Sequence, residues 1–151
     1  MKLKTKKRLH SVLGLTVADG QLRAFHVVRT KAGCEVAKSA SAALSLDILH
    51  PEAELVGREI RNHLDAAGIR ERHCIVGVPA RWVMSQHTKL PDLSADDAAS
   101  FLQLEAEKGF PVDPAQLQIA PSFQRSAAGG YVTQLGVRKE HLEKLAAALR
   151  A

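Results

Sequence analysis

The feature that most constrains this chain is a change of hydrophobic period along its first half. Residues 11–42 contain three runs with strand-like alternation, separated by Gly-bearing turns. The period becomes helical over residues 51–68, where apolar residues recur on one face. The run HCIVGVP at 73–79 then reads as a near-continuous apolar strand, typical of a strand that is covered on both faces. The predicted order is three meandering strands, a helix and a buried strand.

This order predicts an α/β fold built on a mixed sheet. The turn at Asp19-Gly20 suits a tight hairpin because both residue types tolerate positive φ. Pro51 suits the first helical position, and Gly68 suits the helix end. Since strand–helix–strand crossovers are right-handed, the last strand is expected to lie parallel to the first.

The second half of the chain has a different order of predicted elements and is expected to form a separate unit. Residues 83–90 alternate as a strand, and Ser94 with Asp97 forms a variant capping box for a helix that stops at Gly109. Two further strands follow, and Pro121 inside the first of them predicts an edge strand or a bulge. The unit therefore reads strand, helix, strand, strand, and an amphipathic helix over 138–151 closes the chain.

The net charge of +5 comes from the first eight residues. Their basic residues are Lys2, Lys4, Lys6, Lys7 and Arg8, and the other 143 residues contain 16 basic and 16 acidic side chains. Such a tail can contact anionic lipid or nucleic acid, or it can be a solvated disordered leader. Interleaved aromatic residues and a basic face are lacking, so no nucleic-acid partner is predicted.

Other sequence signals exclude several classes of protein. The sequence contains no run of 18 apolar residues, which a membrane-spanning helix would need. Its first residues also lack the apolar stretch of a signal peptide. Cys34 and Cys74 lie far apart without metal-ligand spacing, and Cys74 begins an apolar run where a buried, inert thiol is expected. Motifs of P-loop enzymes and of nucleophile-elbow hydrolases are absent. We therefore predict no enzyme activity, no catalytic residue and no metal site.

Two blocks carry a family likeness. VGVPARWVMSQHTKLPDLS (76–94) and FLQLEAEKGFPVDPAQLQI (101–119) resemble the PilM family of type IV pilus assembly proteins. LGLTVADGQLRAFHV (13–27) stands where that family has its first phosphate loop, and GVRKEHLEKLAAALRA (136–151) resembles the helix after its inserted subdomain. The likeness covers about residues 11–151.

The resemblance implies a fold and a domain organisation. PilM proteins are actin-like, related to FtsA, and carry an inserted strand-helix-strand-strand subdomain in a ribonuclease-H-like sheet. We accordingly expect a basic disordered tail at 1–10, an actin-like half-domain at 11–82 plus 138–151, and the insertion at 83–137. The type II secretion protein GspL shares this fold and is an alternative identity.

The resemblance also implies a partner. In PilM proteins, the groove beside the inserted subdomain receives the cytoplasmic N-terminal tail of the membrane protein PilN. A cytoplasmic scaffold at the inner face of the inner membrane, peripherally associated with it, is therefore expected. Arg81 and Trp82 stand at the entry to the insertion and are predicted to line the peptide groove. The alternative is that Trp82 only packs the joint between subdomains, and self-association is left open.

The phosphate loop departs from the family pattern. Where the family has an Asp at the end of the strand this chain has Thr16, and the turn reads Ala18, Asp19, Gly20, Gln21. A carboxylate at the first position would help to hold magnesium, whereas Thr16 supplies a neutral hydroxyl and Asp19 would repel phosphate. The loop is therefore predicted to be degenerate.

The length is a second departure, because the chain stops where the first of two actin-like halves would end. A single-half protein, a fragment and a partial gene product remain open. No cofactor is expected, and ATP with magnesium would bind only if a second half were supplied. An actin-like ATPase with a missing half is the alternative function.

Overall fold

The computed structural model describes residues 9–126 and 129–151 of the protein. Its elements are β1 (Ser11–Ala18), β2 (Gln21–Arg29), β3 (Cys34–Ala43), α1 (Ala53–Ala66), β4 (Cys74–Gly77), β5 (Met84–Leu90), α2 (Ala95–Gly109), β6 (Leu117–Ser126), β7 (Gly129–Arg138) and α3 (Lys139–Arg150). The chain divides into two compact units, one of residues up to Pro79 with Leu145–Ala151 and the other of Ala80–Lys144. Residues 1–8 of the predicted tail lie outside the described residues.

The first unit contains a four-stranded mixed sheet in the order β3-β2-β1-β4. β1 and β2 are antiparallel, β2 and β3 are antiparallel, and β4 runs parallel to β1. The predicted meander and the predicted parallel crossover through α1 are both confirmed.

The core of this unit lies on one face of the sheet. Because side chains alternate along a strand, Leu13, Leu15 and Val17 of β1 point to the same face and are buried. The register pairs Leu15 with Ala24 and Val17 with Leu22, so β2 adds its buried residues to that face. α1 buries Val56 and Ile60, and Ile60 lines the same groove as Leu13 and Leu15. The opposite side of the sheet is called the open face below.

The two ends of α1 differ in how well the sequence predicts them. Gly68 has a φ of 66°, and the N–H groups of Gly68 and Ile69 donate to the carbonyls of Asp65 and Leu64 at 2.9 Å. This is a Schellman motif, as a Gly at this position predicts. The predicted start at Pro51 is wrong, because the helix begins at Ala53 after Glu52, whose N–H donates to Nδ1 of His50 at 3.1 Å.

The second unit has the predicted strand-helix-strand-strand order. Its antiparallel sheet has the order β5-β7-β6, and Ala106, Phe110 and Leu117 form its buried cluster. Two glutamines tie α2 to the sheet through its carbonyls. Gln86 of β5 donates to Glu105 O at 2.8 Å, and buried Gln134 of β7 donates to Leu102 O at 3.1 Å.

Local signals in this unit are also confirmed. Ser94 caps α2, since the N–H of Asp97 donates to its Oγ at 3.2 Å and its hydroxyl donates to Asp97 Oδ2 at 2.7 Å. Pro121 lies in β6, which among the described strands pairs with β7 alone and is therefore an edge strand. A proline is tolerated there because it has no N–H to donate to a further strand.

The structure corrects two expectations about β4. A strand covered on both faces was expected, but β4 lies at the edge of the described sheet, and Ile75 is 68% exposed. Cys74 is exposed rather than buried, although desolvation of its sulfur raises the pKa of the thiol. An apolar run indicates that a strand is suited to burial. No described element lies over Ile75, so this part of β4 stays exposed.

The contact between α1 and α3 depends on a glycine in the middle of α1. A Cβ built on Gly57 would lie 2.2 Å from the carbonyl oxygen of Ala148 and 2.9 Å from Cβ of Ala151. The absence of a side chain therefore lets the two helix backbones approach each other directly.

We expect Gly57→Ala to destabilise the protein by about 1–3 kcal/mol, because the added methyl forces the helices apart. Alanine normally stabilises a helix interior by about 1 kcal/mol relative to glycine, so the sign is reversed at this position. Urea unfolding followed by circular dichroism measures the change.

The matched control is Asn62→Ala, at an exposed position of the same helix, which is expected to stabilise by about 0.5 kcal/mol. If Gly57→Ala stabilised the protein as much as the control, the close contact with α3 would be refuted.

Candidate functional site

The predicted phosphate loop is a two-residue β-hairpin turn. Ala18 and Gln21 form the last pair of the β1–β2 ladder, so only Asp19 and Gly20 lie outside it. Their φ angles are 53° and 69°, and positive φ at both central residues is the signature of a type I′ turn. The N–H of Leu44 donates to Gly20 O at 2.8 Å, which ties the turn to the end of β3.

A turn of this kind offers little to a phosphate group. Anion-binding loops present several successive backbone N–H groups, and here only two residues stand outside the strand pairing. One of the two is Asp19, whose carboxylate is exposed in the turn. The geometry is that of a hairpin connection.

Thr16 lies within β1 rather than in the loop. It is half-buried and pairs with Arg23 on one side and Gly77 on the other. Thr16 points to the open face, since its neighbours Leu15 and Val17 point to the core. Four of the predicted loop residues thus form or flank the turn. The fifth, Thr16, lies in β1 opposite Arg23.

Arg81 and Trp82 share a 3₁₀ turn at Ala80–Trp82 but have different environments. Trp82 is only 7% exposed, and its ring lies 5.0 Å from the ring of His141, centroid to centroid. Arg81 is exposed. Within the second unit Trp82 therefore packs against α3, and its assignment with Arg81 to a partner groove stays a prediction.

Sequence reasoning missed a basic cleft at the end of the first sheet where β1 begins. It has a volume of about 710 Å³, and its lining residues are Ser11, His26, Lys38, Gly68, Arg70, Glu71, Arg72 and His73. The segments are distant in sequence and meet because His26 pairs with Leu13 and Lys38, while the loop before β4 crosses the sheet end. The only sequence signal was the charged run RERH at 70–73.

Glu71 is the single acid of the basic cleft, and hydrogen bonds surround it. The Ser11 hydroxyl donates to Oε2, while the backbone N–H groups of Arg72 and His73 donate to Oε1 at 2.8 Å. Nδ1 of His73 lies 3.0 Å from the same oxygen. The Ser11 hydroxyl above all, and then the His73 N–H, lowers the pKa of Glu71 to about 2.

A second concave surface of the first unit, called the mixed groove below, combines apolar and charged residues. It has a volume of about 670 Å³, and its apolar lining includes Leu13, Leu15, Ile60, Leu64, Ile69 and Cys74, while its charged lining residues are Arg61, Asp65, Arg70, Glu71, Arg72 and Arg150. It lies between α1, the start of β4 and the end of α3. A groove of this kind suits a segment that carries both apolar and charged side chains.

Neither a metal cluster nor a membrane-crossing helix is found in the described parts of the chain. No three His, Cys, Asp or Glu side chains of residues 9–126 and 129–151 come together as ion ligands. No helix in those ranges is both long and apolar enough to cross a bilayer.

Comparison with solved structures identifies the fold. The chain is similar to the PilM-PilN type IV pilus biogenesis complex, with a TM-score of 0.80 and 19% identity over 95% of this chain and 45% of that chain. It is also similar to the cytoplasmic domain of EpsL, an inner-membrane component of the type II secretion system of Vibrio cholerae, with a TM-score of 0.61 and 15% identity over 93% of this chain and 52% of that chain. No protein-family model and no curated protein matches.

These likenesses confirm the predicted fold class. The chain has a PilM-like fold: an actin-like α/β half-domain with an inserted strand-helix-strand-strand subdomain. It spans about half the length of the solved chains that it matches.

The lowered pKa of Glu71 predicts a pH dependence of stability. Its carboxylate has a lower pKa in the folded state than the ordinary value of 4.5, so its bonds stabilise the fold above that pH and are lost as the pH falls toward 2. We expect Glu71→Gln to be less stable than the natural protein at pH 7 and to lose less stability between pH 5 and pH 2. Urea midpoints measured across this range test the difference.

Glu35→Gln, at an exposed position of β3, is the matched control and should retain the pH dependence of the natural protein. Parallel curves for Glu71→Gln and the natural protein would contradict the assignment.

Proposed function

We propose that this chain is a PilM-like scaffold of type IV pilus assembly that binds the cytoplasmic tail of a PilN-type inner-membrane protein. The observation that carries the proposal is the similarity to the PilM-PilN complex at a TM-score of 0.80 over 95% of the chain. The scaffold would work in the cytoplasm, at the inner face of the membrane, and its peripheral association would come from this partner.

The apolar surface of the first unit supports a binding role. The open face presents Phe25 at 41%, Val36 at 59% and Ile75 at 68% exposure. Gly14 pairs with both Phe25 and Ile75, so these two side chains flank a residue without one. Three exposed apolar side chains on one face of a sheet are consistent with an interaction surface.

An extended tail peptide can be held by a free strand edge or by an apolar groove. β4 offers an edge that no described strand pairs, and its first residue, Cys74, lines the mixed groove. These features supply backbone hydrogen-bonding groups and apolar contacts, which are what an unfolded tail needs in order to gain affinity.

Arg81 is proposed as a peptide contact on the second unit. Its neighbour Trp82 is buried against His141, which fixes the turn from the inside while Arg81 remains at the surface. Because Trp82 holds the turn, the backbone at Arg81 does not have to be ordered when a partner binds. In this proposal Trp82 positions Arg81 and does not itself touch the peptide.

We expect Arg81→Ala to weaken binding of the tail peptide by about 5- to 30-fold, as truncation of an interface arginine typically does. Fluorescence polarisation with a labelled peptide of the PilN-type cytoplasmic N terminus, from the genome that encodes this chain, measures it. The melting temperature should change little because the side chain is exposed.

Arg125→Ala, at another exposed arginine of the same unit, is the matched control and should bind normally. Equal affinity of the Arg81 variant and the control would remove Arg81 from the contact surface.

We also propose that the chain alone turns over no nucleotide. The two-residue turn, the acid within it and the neutral Thr16 all disfavour a phosphate site with magnesium. Calorimetric titration with magnesium-ATP should therefore give no saturable heat, and no phosphate should be released. Micromolar binding with turnover would instead support the ATPase alternative.

A further inference from the structure

We propose that α3 transmits occupation of the mixed groove to the 3₁₀ turn Ala80–Trp82, so that a segment in the groove changes how Arg81 is presented. The mixed groove and Arg81 are both contacts of the proposed scaffold function, and the inference rests on that function where it concerns the tail peptide. The transmission itself needs no partner and is tested without one.

The helix α3 takes part in both compact units. Its residues up to Lys144 belong to the second unit, and those from Leu145 onward belong to the first. His141, Leu145 and Ala148 follow one another at spacings of four and three residues, which places them on one face of the helix. Leu145 and Ala148 are buried, and so is Nδ1 of His141. One packed face therefore extends from the first turn of α3 to its last.

The sequence of α3 favours a straight, continuous helix. Residues 139–150 contain neither Gly nor Pro, the residue types at which helices usually kink. His141 and Ala148 are seven residues apart, which is about 10.5 Å along a helix axis. Because backbone hydrogen bonds close every turn between them, a displacement at one end reaches the other end.

The end of α3 is packed without slack against α1. A Cβ on Gly57 would overlap the carbonyl oxygen of Ala148, so the two helix backbones already touch. The Arg61 side chain donates to Ala151 O, which ties the residue after α3 to α1. All four of these residues line the mixed groove. A segment that enters the groove therefore presses on a helix end that has no room to approach α1 and can only move away from it.

The beginning of α3 holds the turn that carries Arg81. The ring of His141 lies 5.0 Å from that of Trp82, and Trp82 is 7% exposed. Nδ1 of His141 has no hydrogen-bond partner in the described part of the chain, so its ring is held by packing and moves with the helix. A helix shift of about 1–2 Å is enough to repack such a contact. Arg81, as the neighbour of Trp82 in the turn, is then displaced as well.

The single tryptophan of the chain allows a test without any peptide, because Trp82 reports on the turn. Cys74 is exposed and lines the mixed groove, so N-ethylmaleimide attached to it in a Cys34→Ser variant places an added group in the groove. We expect a red shift of the Trp82 emission and faster quenching by acrylamide, since Trp82 loses part of its cover. Mass spectrometry verifies the labelling.

Two matched controls separate transmission from unspecific loosening. The Cys74→Ser variant, labelled at exposed Cys34 of β3 outside the groove, should keep the emission of the unlabelled chain. His141→Ala in the Cys34→Ser background should abolish the response to the label at Cys74, because the contact that carries it is gone. Glu143→Ala, at an exposed position of α3, should respond fully, and circular dichroism checks that every variant folds.

Tail binding tests the consequence for the proposed function. Gly57→Ala displaces α3 from α1, so Arg81 should contribute less to binding in that background. We expect the loss of affinity on Arg81→Ala to be about fivefold smaller with Gly57→Ala than in the natural protein. Fluorescence polarisation of the labelled tail peptide with the four chains of this double-mutant cycle measures the difference.

Three results would overturn the proposal. One is an unchanged Trp82 signal after complete labelling of Cys74, and another is an equal change after labelling of Cys34. The third is an equal loss on Arg81→Ala in both backgrounds of the binding cycle. A natural protein that does not bind the tail peptide at all would refute the scaffold function instead, and the fluorescence result would still decide whether α3 transmits the change.

Discussion

The pairing of β1 on both sides is the constraint on which the first unit depends. β1 is antiparallel to β2 and parallel to β4, so it joins the hairpin to the crossover through α1. Its alternation sends Leu13, Leu15 and Val17 to one face, and a slip of one residue would expose all three. The type I′ turn at Asp19-Gly20 fixes the register between β1 and β2, and the core follows from it.

The same strand explains why its two ends differ in chemistry. At its beginning, Ser11 meets side chains from β2, β3 and the loop before β4, and five titratable basic groups line one cleft. At the end of β1, the chain reverses within two residues, which leaves no loop long enough to surround a phosphate group. The sequence resemblance to PilM proteins predicted a phosphate loop at the second end. In this chain the concentrated charge is at the first.

A structural feature could be predicted from the sequence when the residues that determine it are close together in the chain. The hairpin turn, the end of α1 at Gly68, the Ser94 cap and the edge position of Pro121 each follow from a few neighbouring residues. The helix start predicted at Pro51 was wrong, because α1 begins two residues later, at Ala53, without a side-chain cap. The exposure of Ile75 and Cys74 could not be read from an apolar run, which reports suitability for burial rather than the presence of a cover. The basic cleft needed the strand register and the crossover together, which no local pattern contains.

The uncovered edge of β4 has a consequence for the timing of assembly. Ile75 and the unpaired backbone beside it form a surface that any extended apolar segment can join. If the proposed tail peptide joins this edge, newly made chains face a competition between that peptide and each other, and the outcome depends on the relative concentrations of the two. Under that proposal a cell gains from making the partner first, or from making both at one place.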